Sequence, residues 1–399
     1  MLSISRRGQE MPPSPIRKLV PYADAAKEKG LKVYHLNIGQ PDIETPVIMM
    51  DAVRHNHLKV LEYSHSAGNE SYRRKLTTYY KSVGIDVDVN QIIVTTGGSE
   101  AILFGFLACL DPGDEIIVPE PFYANYYGFA VAAGLKVVPI TSYIETGFAL
   151  PAIAEFEKKI TPKTKAIMIC NPNNPTGYLY SEEELNALKE LIIKYNLYLF
   201  SDEAYREFCY EGKYFSAMHL KGVDENVILV DTISKRYSAC GGRLGALITK
   251  NKLVIDAVMK FAQARLSPPS FAQIAAEAAL DLPQDYLDTT RDEYKSRRDL
   301  IVQRLNTMKD VYCPNPGGAF YVMAKLPIDD CDLFCQWLLE KFNYNNQTVM
   351  VAPASGFYDN EALGKHEVRI AYVLNKQDLS IAMDCLELAL QQYPGRTNQ

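Results

Sequence analysis

From about residue 90 onward the chain alternates between two kinds of segment, and this rhythm leaves few folds open. Short apolar, β-branched runs fall at Ile92–Thr95, Glu115–Pro119, Lys136–Ile140, Ala166–Cys170, Leu197–Ser201, Val227–Asp231 and Leu244–Thr249. Helical patterns lie between most of them, at 99–110, 122–133, 152–160 and 181–195. Strands that are apolar throughout need cover on both faces. The pattern therefore predicts an α/β protein with a mostly parallel, seven-stranded sheet between two layers of helices. Ser181-Glu182-Glu183-Glu184, after the Pro175-Thr176-Gly177 turn, predicts a capping box at the start of one helix.

The rhythm changes on either side. Residues 1–45 are irregular and proline-rich, with one short helix at about 17–29. Beyond 250, helices at 252–265, 270–281 and 285–308 lead to a break at Pro314-Asn315-Pro316-Gly317-Gly318. A strand at Ala319–Ala324, a helix at 332–342, a strand near Val368–Val373 and a last helix at 376–392 follow. This predicts a large α/β domain over 46–289 and a smaller α+β domain built from 1–45 and 290–399.

Composition excludes several function classes. Lys plus Arg number 42 and Asp plus Glu 48, a formal charge of −6. A mildly acidic chain has no general attraction for nucleic acid or anionic lipid, so any anion site must be local. No apolar run approaches the length of a membrane span. No apolar stretch follows Arg6-Arg7, so no secretory leader is expected and the chain reads as cytoplasmic. The eight cysteines have no C-x-x-C spacing. Cys331 and Cys335 stand four apart without a second pair nearby, so no metal site is expected.

In open α/β sheets ligands bind beyond the carboxyl ends of the strands, so chemistry is sought there. Ile92–Thr95 is followed by Thr96-Gly97-Gly98-Ser99 and a helix, a turn whose backbone N–H groups can approach a phosphate. The same residues nearly match G-x-S-x-G, which admits a serine hydrolase with Ser99 as nucleophile and His219 or His366 as base. Ala166–Cys170 is followed by the rigid run Asn171-Pro172-Asn173-Asn174-Pro175-Thr176-Gly177. Leu197–Ser201 ends on Asp202, with a phenol at Tyr205, so a carboxylate and a hydroxyl can face one ligand. Val227–Asp231 is followed by Thr232, Ser234 and Lys235, with Arg243 eight residues after the lysine. A lysine among small and hydroxyl residues between two apolar strands lies in a cleft, where it can act as a nucleophilic amine.

Together, Asn174-Pro175-Thr176-Gly177, Ser201-Asp202-Glu203-Ala204-Tyr205, Ser234-Lys235 and Gly242-Arg243-Leu244-Gly245 resemble the class I and II aminotransferases of fold type I. Asn37-Ile38-Gly39-Gln40-Pro41-Asp42 and Val368-Arg369-Ile370-Ala371-Tyr372 extend the match over nearly the whole chain, in order. The resemblance implies pyridoxal 5'-phosphate as cofactor, carried covalently by Lys235, which then moves the substrate's Cα proton. Asp202 matches the carboxylate that keeps the pyridine nitrogen protonated. Asn174 and Tyr205 match partners of the ring's phenolic oxygen, and Tyr123 falls where an aromatic stacks on the ring. Gly97, Gly98, Ser99, Thr232, Ser234 and Arg243 match the phosphate cradle. Tyr63 matches a tyrosine that reaches the phosphate from a neighbouring subunit, which implies a homodimer with shared sites. Arg369 matches the clamp for the substrate α-carboxylate, with Gly39 beside it. A non-catalytic regulator that binds the cofactor would need a DNA-binding segment, and residues 1–45 carry no helix-turn-helix pattern.

The resemblance leads to aspartate as amino donor and 2-oxoglutarate as acceptor, with aromatic or alanine transamination as alternatives. One aspartate-using group carries a lysine after the two glycines; this chain has Ser99 there. Arg265 is the residue expected to bind a second substrate carboxylate.

Overall fold

The computed structural model describes residues 2–397. Twelve strands are found among them: β1 (Lys32–His35), β2 (Ile92–Thr95), β3 (Glu115–Glu120), β4 (Lys136–Thr141), β5 (Thr164–Cys170), β6 (Tyr198–Asp202), β7 (Val227–Thr232), β8 (Gly245–Ile248), β9 (Tyr321–Lys325), β10 (Gln347–Met350), β11 (Ala352–Pro353) and β12 (Glu367–Ala371). Seven of them form one sheet in the order β2-β8-β7-β6-β5-β3-β4. Only β8 runs against its neighbours; the other pairings are parallel.

Alternation along each strand sends side chains into two separate apolar clusters. In β5, Ala166, Met168 and Cys170 join one and Ile167 and Ile169 the other; in β7, Ile228 and Val230 oppose Val227 and Leu229. Helices Gly97–Cys109, Asn125–Ala133 and Lys252–Arg265 cover the first face, and Glu70–Ser82 and Glu182–Tyr195 the second. The expected capping box is formed: Ser181 Oγ accepts from the Glu184 N–H at 3.1 Å, and Glu184 Oε2 from the Ser181 N–H at 2.8 Å. Such a cap is worth about 1 kcal/mol.

Register brings four strand ends to one edge. Cys170 pairs with Asp202, Asp202 with Val230, and both Thr95 and Thr232 with Gly245. A Cβ at Gly245 would lie 2.6 Å from the Asp231 carbonyl oxygen and 2.7 Å from the Gly98 nitrogen. Only glycine lets β8 pass so close to the Gly97-Gly98 loop.

Beyond this sheet, β11-β12-β9 form an antiparallel sheet, and β1 pairs in parallel with β10. Leu36 joins the two, donating to Met350 O and accepting from the Ala371 N–H, each at 2.8 Å. The following Asn37-Ile38-Gly39 is thereby delivered to the open edge of the large sheet. Helix Gln284–Thr307 runs unbroken through position 289/290. Strands β1, β10 and β11 and helices Val47–Arg54 and Glu70–Ser82 are additions to the sequence reading. Helix Glu70–Ser82 has a polar composition and buries only Tyr72, Arg73, Leu76 and Tyr80, and β1 gains its partner from residues far along the chain.

Candidate active site

A cavity of about 270 Å³ opens at the carboxyl edge of the large sheet. Asp202 lies at its floor. Its Oδ2 accepts from the Tyr126 hydroxyl at 2.8 Å and its Oδ1 from the Ala204 N–H at 3.1 Å. Burial pushes its carboxyl up to about 6, against the pull of these two donors. Asn174 and Tyr205 meet beside it, with Asn174 Nδ2 3.5 Å from the Tyr205 hydroxyl. Tyr123 also lines the cavity and sits edge-on to Tyr126, ring centroids 5.4 Å apart.

Lys235 rises from the turn after β7. Thr232 caps this turn, its Oγ1 accepting from the Ser234 N–H at 3.2 Å and lying 2.8 Å from Ser234 Oγ. The next residue, Arg236, points away and binds both Asp231 oxygens at 2.7 Å. Burial works against the charge of Asp231, but Arg236 and Arg206 outweigh it and hold the carboxyl below its usual range. With the turn pinned from behind, Lys235 Nζ faces the cavity and donates to Gly39 O at 2.8 Å. Cys240 Sγ lies 3.7 Å from the same nitrogen.

Gly98, Ser99, Thr232, Ser234 and Arg243 gather on one side. Gly97 has φ +77°, and a Cβ there would sit 2.6 Å from Arg243 Nη2. Arg243 itself holds φ +50°, a left-handed conformation costly for a residue with a side chain. Hydroxyls, a guanidinium and the start of a 13-residue helix thus converge on one spot, which suits a phosphate dianion.

Arg369 defines the opposite side. It is 1 % exposed in the middle of β12, opposite Met323 and Ala352. Its Nη1 donates to Asn174 Oδ1 at 3.0 Å and its Nη2 to Asn37 O at 2.5 Å. The guanidinium lies between the rings of Tyr321 and Phe357, 4.5 and 4.8 Å from their centroids. Burial lowers its pKa, and no carboxylate lies within ion-pair distance among the described residues. A buried cation that lacks a counter-ion yet lines a cavity is suited to receive a carboxylate from outside.

Gly97 stands behind the cavity wall, next to Arg243, and two further expected residues are not brought to this cavity within one chain. Tyr63 is 76 % exposed, in a strip with Leu58, Val60 and Leu61. Arg265 is held elsewhere: Nη1 pairs with Glu100 at 2.7 Å, and Nη2 donates to Ser66 O and Val94 O. Neither His219 nor His366 lines the cavity with Ser99; His219 Nδ1 accepts from the Ser216 N–H and His366 Nδ1 faces Ile328 O. The hydrolase alternative therefore lacks its base. Five contributors escaped the sequence reading. Tyr126, which holds Asp202 from behind the wall, lies one turn beyond Tyr123, Tyr321 opens the strand after the Gly317-Gly318 break, and the arm residues Ser14, Ile16 and Arg17 also line the cavity.

The sheet order, the lysine at a strand-end turn and the carboxylate beneath it define a fold type I transferase. Residues 32–386 match the model of the family "Aminotransferase class I and II". The chain is 33% identical over 388 residues to an aspartate aminotransferase of Pyrococcus horikoshii, covering 95% of each. It is 32% identical to aromatic-amino-acid aminotransferase 2 of Thermococcus litoralis, covering 98% of this chain and 99% of the relative. The solved alanine aminotransferase of Pyrococcus furiosus superposes with a TM-score of 0.88 at 34% identity, covering 97% and 99%. The chain belongs to the class I and II aminotransferases, and it is an aminotransferase enzyme. Members of this family are pyridoxal-phosphate enzymes.

Proposed function

We propose that this aminotransferase uses pyridoxal 5'-phosphate to carry an amino group from an L-amino acid, aspartate being the leading donor, to 2-oxoglutarate in two alternating half-reactions. The observation that carries the reading is that one cavity is lined by Lys235, Asp202 and the unpaired Arg369 together.

The residues suit the cofactor. The Gly97, Gly98, Ser99, Thr232, Ser234 and Arg243 cluster would hold its phosphate, Asp202 its ring nitrogen, and Asn174 and Tyr205 its phenolic oxygen, with Tyr123 over the ring. When bound, the cofactor supplies an electron-accepting ring and a carbonyl carbon that exchanges amines. Asp202, with its carboxyl raised to about 6 by burial, regains a strong preference for the charged form beside a cationic N–H. Arg369 and Gly39 orient the substrate carboxylate, placing the Cα proton toward Lys235. Among the described residues Lys235 Nζ is the one amine on the cavity wall, and it takes that proton and returns it.

Within this reading, residues 46–289 hold the cofactor, while 1–45 and 290–399 contribute Gly39 and Arg369. The exposed strip with Tyr63 is the contact by which a second copy completes the site, giving a homodimer. No helix among the described residues is long and apolar enough to cross a membrane. The buried free thiols of Cys170, Cys313, Cys331, Cys335 and Cys385 suit a reducing cytoplasm.

A panel of amino donors against 2-oxoglutarate tests the reading. Initial rates should give parallel double-reciprocal lines, and borohydride should label Lys235 in the native protein. Intersecting lines, or an unlabelled Lys235, would overturn it.

A further inference from the structure

The charges on the cavity wall do not balance once the proposed ligands are assigned. Among the described residues four cations line it, Arg17, Lys235, Arg243 and Arg369, against one acid, Asp202. On the reading above, Arg243 would serve the cofactor phosphate, Lys235 would carry the cofactor, Asp202 would meet the ring nitrogen and Arg369 would take the α-carboxylate. Arg17 is left over.

Its surroundings show that it is presented rather than loose. Pro15 packs against Gly356, where an added Cβ would come within 2.2 Å of the proline ring. Ile16 packs on the cluster of Phe357, Tyr358 and Phe148. Lys18 pairs with Asp332 at 2.6 Å, and Leu19 is 3 % exposed in the main core. The Arg17 N–H donates to Ser14 O at 3.2 Å. Between these anchors the Arg17 side chain is exposed, and no carboxylate pairs with it among the described residues.

We propose that Arg17 is the specificity residue that binds a second, side-chain carboxylate of the substrate, making dicarboxylic amino acids the favoured donors. This rests on the reading that Arg369 takes the α-carboxylate. Two alternatives for the second anchor are weak in this chain. Position 99, after the glycine pair, carries a hydroxyl instead of a cation. Arg265 already spends its guanidinium on Glu100 and two carbonyls. A planar guanidinium at the mouth can grip a carboxylate through two parallel hydrogen bonds, whereas an apolar side chain would leave it unmatched.

The test compares wild type with Arg17→Gln and Arg265→Gln as holoenzymes. The ratio of kcat/KM for aspartate over alanine should fall about 10- to 100-fold in Arg17→Gln, the worth of a charged hydrogen-bonded contact. The Kd of maleate, a dicarboxylate, measured by calorimetry should rise by a similar factor relative to that of propionate. Arg17→Lys should recover part of both. An unchanged ratio in Arg17→Gln, or a drop that follows Arg265→Gln alone, would overturn the proposal. Failure of the underlying reading looks different: Arg369→Gln would then leave binding of maleate and propionate alike untouched.

Discussion

The two walls of the cavity are built in opposite ways. On the sheet wall Asn174, Asp202, Thr232 and Ser234 are each 5 to 8 % exposed and hydrogen-bonded by neighbouring strands and turns. On the arm wall Ser14 and Ile16 are half-buried and Arg17 is exposed. On the proposed reading, the difference separates two tasks. Groups at the reacting centre need fixed positions and a low dielectric, which strand ends provide. Groups that select a side chain need only a correct charge at the mouth, and an arm can change that charge without disturbing the sheet.

The sharpest break of this comparison is Lys235→Ala. Transfer should fall on the order of 10⁴-fold or more, and the visible absorption of the bound cofactor should disappear; a surviving band would place the covalent link on another lysine. Arg369→Gln comes next. It should lower kcat/KM by about 10²- to 10³-fold for every amino acid, since on the proposed reading it removes a desolvated charge pair common to all. A loss confined to one donor would move Arg369 from anchoring to selection.

Asp202→Asn should reduce turnover about 10²-fold and weaken cofactor retention. It should act in the opposite direction on the stability of the cofactor-free protein. Burial raises this carboxyl from 3.8 to about 6, so the folded state holds its proton longer than the unfolded chain. The group's contribution is therefore full below 3.8 and is lost as pH rises through about 6. Asparagine should then raise the stability of the cofactor-free protein at pH 7.5 by about 1–3 kcal/mol. The gain should shrink toward pH 5 in parallel thermal melts, and a pH-independent difference would refute the burial argument. Tyr205→Phe has the smallest expected effect, about 3- to 10-fold in kcat. Its hydroxyl shares its surroundings with Tyr321 at 2.8 Å and Asn174 at 3.5 Å, so part of the hydrogen bonding survives.

Much of the sheet wall was legible beforehand. Runs such as Ala166–Cys170 and Val227–Asp231 announce buried strands by composition, and the residues after them are the ones that reach the cavity. The capping box at Ser181 was equally legible, because it is a contact across three residues. Strand β1 was not: Lys32–His35 is short and mixed, and it is a strand because Gln347–Met350 lies beside it. Tyr126 and Tyr321 were hidden for a related reason. The chain is rich in tyrosine, and only the approach of separate segments shows which hydroxyl meets Asp202 and which ring lies on Arg369.

Arg17 and Arg265 mark the limit most clearly. Both are arginines at the end or edge of a helical turn, and nothing local tells them apart. Contact with Glu100, 165 positions away, commits one of them, while packing of Pro15 on Gly356 carries the other to the cavity. The amino-acid order alone determined the layered sheet, the strand tips that bear Asn174, Asp202 and Lys235, and the likeness to a family, because periodicity and turn chemistry act within a few residues. Which charges are paired and which remain open to a substrate was decided by the tertiary structure, because ion pairing depends on distances in space that no local pattern encodes.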